Sequence, residues 1–265
     1  MAPPRFVAVG DLMVDVLVTG PPGHQVRIRV RPGGAAANAA AWAAVCGADA
    51  TVVGAVGDDP AGRSIRAEVE ARGVRAELRV DPDAPTGTFL SVDGEIRADR
   101  GANARFAPND LPTELAGDAV LVSGHLPDET IAAALQRARA PWVALDAARL
   151  SGLPETTSAV LLNEERALAL TGAEPEGAAR RLAQGRRLAC VTRGADGAVA
   201  VLDGQFASAR PSDAAEGDEP GAGDAFAASF LVALGRGLDL PDALAEGCRS
   251  GARAAKFGGG WPESS

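Results

Sequence analysis

The chain has no tyrosine, two histidines, three cysteines and only 4% aromatic residues among its 265. With His24 and His125 alone, a metal centre built from several imidazoles is excluded. Cys46, Cys190 and Cys248 are odd in number and far apart, so neither a disulfide framework nor zinc-ligand spacing follows. A reducing compartment, the cytoplasm, is the expectation. Basic blocks are also missing. A net charge of −9 and a pI near 4.8 leave nothing to displace counterions from a nucleic acid, and no such partner is expected. No apolar run approaches the roughly 20 residues that span a bilayer, so no membrane role is expected. The opening run Phe6–Val9 meets Asp11 and Asp15 before a signal-peptide core can develop. The Ala- and Gly-rich composition reflects genome bias more than function.

What is present is a chain 46% hydrophobic and 23% charged, enough to bury the core of one large α/β domain over residues 1–265. Short apolar runs read as buried strands: Phe6–Val9, Thr51–Ala55, Ala119–Ser123, Trp142–Leu145, Val160–Leu162 and Leu188–Thr192. Longer segments read as helices: Ala35–Cys46, Ala61–Ala71, Asp128–Ala138, Glu164–Leu170, Gly177–Gln184 and Ala225–Leu234. The alternation predicts a mostly parallel central sheet with helices on both faces, which holds its ligands at the carboxyl ends of the strands. Two segments break the rhythm, about 12–30 and 77–100. Their turns, Gly20-Pro21-Pro22-Gly23 and Asp93-Gly94, predict antiparallel strands forming a small β-lid. The tail Gly258–Pro262 ends the last helix and reads as frayed.

Chemistry concentrates in Glu219-Pro220-Gly221-Ala222-Gly223-Asp224. Small residues opening a helix leave backbone N–H groups free for an anion, and a carboxylate fixed beside them suits proton removal from an attacking hydroxyl. The same residues also read as a glycine-rich loop with an Asp cap. Near the other end, Gly33-Gly34 opens an alanine helix carrying Asn38, a poor helix former with either a side-chain task or a solvent-facing place. Asp15 follows the first strand, Asn163 follows Val160–Leu162, and Thr192-Arg193-Gly194-Ala195-Asp196-Gly197 closes Leu188–Thr192.

Gly33–Asn38 as Gly-Gly-x-x-x-Asn, Gly221–Asp224 as Gly-Ala-Gly-Asp, and Val191-Thr192-Arg193-Gly194 between them resemble the ribokinase-like (phosphofructokinase B-type) carbohydrate kinase family across nearly the whole chain. The resemblance implies a cytoplasmic, ATP-dependent transfer of a phosphoryl group to a sugar hydroxyl. It makes Asp224 the base, with the N–H groups of Gly221, Ala222 and Gly223 holding the charge of the moving group. Asp15, Gly34, Asn38, Arg100 and Asn103 would meet the sugar. Asn163, Thr192, Gly194, Gly197 and Gly223 would border the nucleotide. Mg²⁺ would bridge the phosphates, Asp218 would sit at a monovalent-cation position for an ion such as K⁺, and the lid would join a homodimer.

The chain departs from the family pattern in several places. Asn-x-x-Glu reads Asn163-Glu164-Glu165-Arg166, so either Glu165 or Glu164 replaces the lost metal partner, or Arg166 neutralises phosphate itself. Glu219-Pro220 stands where two threonines are common. Met13 and Ala35 remove two polar contacts of a ribose site, whereas Arg100 and Arg149 offer guanidiniums for a substrate carboxylate. The acceptor is thus a sugar, a sugar acid of the 2-keto-3-deoxygluconate type or a nucleoside. A weakly catalytic sugar-binding regulator is the alternative of another class.

Overall fold

In the first strand, β1 (Arg5–Val9), Phe6 and Ala8 pack into one apolar cluster and Val7 and Val9 into another. A strand buried on both sides belongs in the middle of a sheet covered on two faces. The computed structural model describes residues 2–21, 23, 25–147, 150, 152–155, 157–211, 221–257, 260 and 261. After β1 come β2 (Met13–Thr19), β3 (Arg27–Gly33), α1 (Ala35–Val45), β4 (Asp49–Gly57), α2 (Pro60–Ala71) and β5 (Arg75–Asp81). Next follow β6 (Gly87–Val92), β7 (Glu95–Asp99), β8 (Leu115–Ala116), β9 (Ala119–Ser123), α3 (Asp128–Arg137), β10 (Ala138–Arg139) and β11 (Trp142–Asp146). The last part holds β12 (Ala159–Asn163), α4 (Glu164–Thr171), α5 (Pro175–Leu182), β13 (Leu188–Thr192), β14 (Ala198–Leu202), β15 (Gln205–Ala209), α6 (Ala222–Gly235) and α7 (Leu240–Phe257).

Among the described residues, nine strands form the central sheet in the order β15-β14-β13-β12-β11-β9-β1-β4-β5. It is parallel from β13 to β5, and the β14–β15 hairpin adds an antiparallel edge. Helices α1, α2, α6 and α7 contribute to the cluster on one face, and α3, α4 and α5 to that on the other. Connections run outward from β1 in both directions, so the strand order reverses between β1 and β9, where such sheets open a crevice.

A separate four-stranded sheet has the order β3-β2-β6-β7. It is built from the two segments expected to form a β-lid, less part of the second. The 77–100 segment divides, because Arg75–Asp81 pairs in parallel with β4 as an edge of the central sheet. The lid's two hairpins are antiparallel as expected, but β2 and β6 join them in parallel. The chain's end also differs from the frayed tail. Trp42 Nε1 donates to the Gly260 carbonyl at 2.8 Å, Trp261 is buried, and the Arg72 guanidinium lies over the Trp261 ring. Gly258, Gly259 and Pro262 lie outside the described residues.

Candidate active site

Helix α6 begins where Gly221 takes a left-handed backbone, φ 96°, which side-chain-bearing residues resist. A β-carbon there would also sit 2.2 Å from the Cα of Gly260, so the C-terminal segment runs hard against the helix start, and a β-carbon on Gly260 would itself collide with the Asn38 amide at 2.4 Å. The first-turn N–H groups have no carbonyl partner within the helix, and the helix dipole favours an anion in front of them. A β-carbon on Gly223 would meet nothing within 4 Å, so that space is open. Asp224 stands in this first turn, and the N-cap is Gly221, not Asp224.

Helix α1 supplies the partner. Asn38, buried one turn into that alanine helix, donates from Nδ2 to Asp224 Oδ2 at 2.7 Å. The N-cap of α1 is Gly34, φ 92°. A β-carbon on Gly34 would collide with the Asp11 carbonyl oxygen at 2.4 Å, so the β1–β2 connection runs hard against the helix start. Asn38 therefore has a side-chain task, and its most direct one is to hold Asp224.

Among the described residues, three of the cavities at the carboxyl ends of the strands bear on the site. The first, about 550 Å³, is bordered by Asp11, Asp15, Asn38, Arg100, His125 and Asp224 beneath the inner face of the lid. The second, about 210 Å³, is bordered by His125, Asp146, Asn163, Thr192, Gly223 and Asp224. The third, about 260 Å³, is bordered by Asn163, Thr192, Gly194, Gly197, Gly223 and Cys248. Because neighbouring cavities share walls, they form one trough with Asp224 at the joint between the first and the second.

Charge is unevenly placed in this trough. Enclosure away from water holds the Asp224 carboxyl well above the usual carboxylate range; the Asn38 hydrogen bond opposes that, and the charges of Asp146, Asp11 and Asp15 reinforce it. Burial likewise pushes Asp15 up to about 6, with Arg31 opposing and Asp11 reinforcing.

The fold brings most of the sequence-selected residues to this trough and changes what several of them do there. Asp15 does not follow the first strand of the central sheet. It lies within β2 of the lid, and Asp11 is the acid that follows β1. Asn103 borders the first cavity, but its amide is occupied: Nδ2 donates to the Leu12 and Arg100 carbonyls, and Oδ1 accepts from Leu12 N–H. It positions the β1–β2 connection rather than offering an open amide. The Arg100 guanidinium donates to the His125 carbonyl. Asn163 caps α4 through the Arg166 N–H at 2.8 Å and borders both nucleotide-side cavities. Thr192, Gly194 and Gly197 line the third, where Gly197 is required because a β-carbon would lie 2.1 Å from the Ala209 carbonyl oxygen.

Glu165 is exposed on α4 and borders none of the three cavities. Asp218, Glu219, Pro220 and Arg149 lie outside the described residues. Sequence reasoning missed Asp11, His125 and Asp146 as wall residues. Each stands just beyond or at the end of a parallel strand (β1, β9 and β11), and strand-end position was the signal available.

A family model described as pfkB family carbohydrate kinase matches residues 4–260. The chain is 32% identical to a fructokinase of Klebsiella pneumoniae over 91% of this chain and 87% of the relative. It is 30% identical to a cytidine kinase of Thermococcus kodakarensis over 97% of this chain and 98% of the relative. Among solved structures, aminoimidazole riboside kinase from Salmonella enterica, complexed with aminoimidazole riboside and an ATP analog, has a TM-score of 0.80 at 23% identity. That likeness covers 95% of this chain and 93% of the other.

Proposed function

The chain belongs to the pfkB family of carbohydrate kinases, and from that premise we propose that it moves the γ-phosphoryl group of ATP to a sugar hydroxyl with Asp224 as the base. The observation that carries this reading is the place of Asp224, at the joint between two cavities and beside the open N–H groups of the α6 start. The acceptor lies in the first cavity and ATP in the third, with its phosphates reaching into the second. Asp224 takes the hydroxyl proton as the acceptor oxygen bonds to the γ-phosphorus and the bond to the β-phosphate oxygen breaks, releasing ADP. The N–H groups from Gly221 to Gly223 stabilise charge on the transferring group. Asn38 keeps the carboxylate aimed.

Magnesium fits this site as an ion held mainly by nucleotide phosphates and water. Among the described residues no cluster of three or more His, Cys, Asp or Glu forms a protein cage. Asp146 and Asn163 border the second cavity and are the side chains that would hold the ion or its waters. When bound, it neutralises phosphate charge.

The whole chain works as one unit, in which β2, β3, β6 and β7 close over the acceptor. The lid's outer face pairs Val16 with Val30 and Leu90, and Val18 with Ile28 and Val92. Val30 and Ile28 are 66% and 58% exposed, and this apolar face supports pairing with a second copy. The free cysteines suit a reducing cytoplasm. No helix among the described residues is long and apolar enough to cross a membrane.

Coupled ADP release with magnesium and ATP over sugars, sugar acids and nucleosides tests the reading. Saturable turnover with at least one acceptor is expected. Tight sugar binding with no ADP above background would favour a regulator on this fold.

A further inference from the structure

The acceptor cavity carries more acid than a single base requires. Asp11, Asp15 and Asp224 all border it, and Asp11 and Asp15 are buried. Asp11 is fixed by Ser123, whose Oγ donates to Oδ1 at 3.1 Å and itself accepts from the His125 N–H at 3.2 Å. Asp15 fills the space where a Gly33 side chain would lie, its carboxyl carbon 2.2 Å from an ideal β-carbon, and it pairs across the ladder with Arg31. The donor side chains on these walls are already committed in whole or in part. Asn38 donates to Asp224, Asn103 to backbone carbonyls, and Arg100 to the His125 carbonyl. Asn38 Oδ1 is a buried acceptor with no partner among the described residues. With three carboxyl groups against the one guanidinium of Arg100 on its walls, the cavity offers a ligand more acceptors and acid than base. Hydroxyls satisfy such walls, and a carboxylate or phosphate is repelled by them.

We infer that the acceptor is an uncharged, hydroxyl-rich sugar or nucleoside, that sugar acids and sugar phosphates are excluded, and that Asp11 sets this selectivity by accepting a hydrogen bond from an acceptor hydroxyl. The inference rests on the kinase reading above and turns against the sequence-level expectation that Arg100 receives a substrate carboxylate.

Two measurements on the full chain test it: kcat/KM by ADP release, and equilibrium binding by calorimetry. The probes are fructose, ribose and cytidine against gluconate, 2-keto-3-deoxygluconate, fructose 1-phosphate and ribose 5-phosphate. The best neutral acceptor should exceed the best anionic one by at least about tenfold. Asp11→Asn should raise KM for the neutral acceptor about tenfold, leave KM for ATP unchanged and narrow the neutral-to-anion ratio. An anion as best substrate, or a ratio unmoved by Asp11→Asn, overturns the inference while the kinase reading stands. If no acceptor releases ADP, the kinase reading falls, and calorimetry still decides the charge preference; binding of none of the neutral probes counts against the inference. Should Asp11→Asn fail to fold, the wild-type panel alone decides.

Discussion

Replacing Asn38 by alanine removes the amide that donates to Asp224 Oδ2 at 2.7 Å. A hydrogen bond to a charged group contributes about 1.5–3 kcal/mol. If that support is felt fully in the transition state, kcat/KM falls about 10- to 150-fold at about 1.4 kcal/mol per decade. The pH dependence sharpens the test. Asn38 lowers the affinity of Asp224 for a proton, against the enclosure and neighbouring acids that raise it. Losing the amide moves the Asp224 pKa further up. Because the base acts ionised, the acidic limb of the kcat profile shifts to higher pH, and the deficit is larger at low pH than at high pH. Asn38→Asp places a second carboxylate against Asp224 and pushes the limb the same way. Coupled ADP release across the pH range reads both quantities. Activity within about twofold of wild type, with the limb unmoved, would show that the amide does not tune the base.

Asp15→Asn tests the charge stored under the lid. An Asp whose folded pKa is raised from 3.8 to about 6 favours folding below the lower value and loses that advantage as pH rises through the higher. Relative to wild type the variant should therefore gain up to about 2.4 kcal/mol between pH 4 and pH 8, at 1.36 kcal/mol per pKa unit; urea midpoints that keep the same difference at both pH values would refute it. Val30→Asp should break a lid-mediated dimer with little change in melting temperature, because Val30 is largely exposed. Sedimentation decides, and an unchanged mass for wild type and variant counts against the pairing.

Strands buried on both faces were legible in the sequence because they are short and almost wholly apolar, as in Ala119–Ser123 and Leu188–Thr192. The start of α6 was legible because its small residues serve backbone geometry that only glycine tolerates. Strand β5 was read as lid because, as an edge strand, it alternates exposed and half-buried residues and looks like a lid strand. Helix α7, which was not among the expected helices, carries Gly247 and Gly251. In the fold Gly247 lets α7 approach α6, since a β-carbon there would lie 2.8 Å from the Phe226 ring. Asn103 looked like a substrate contact because its type fits one, but the demand of buried Leu12 backbone groups claims its amide. Asp11 was passed over as a polar break in an apolar run, although the strand-end argument applied to Asp15 pointed to Asp11 with more force.

The central claim is that Asp224 removes the proton from the attacking hydroxyl. Single-turnover phosphoryl transfer by Asp224→Asn, with acceptor and ATP saturating, tests it most directly, because product release then plays no part. The side chains are nearly isosteric, so acceptor and ATP binding by calorimetry should stay close to wild type. The rate should fall roughly 10²–10⁴-fold, the usual contribution of a general base. A variant that binds both substrates normally and transfers the phosphoryl group at more than about a tenth of the wild-type rate would contradict the account.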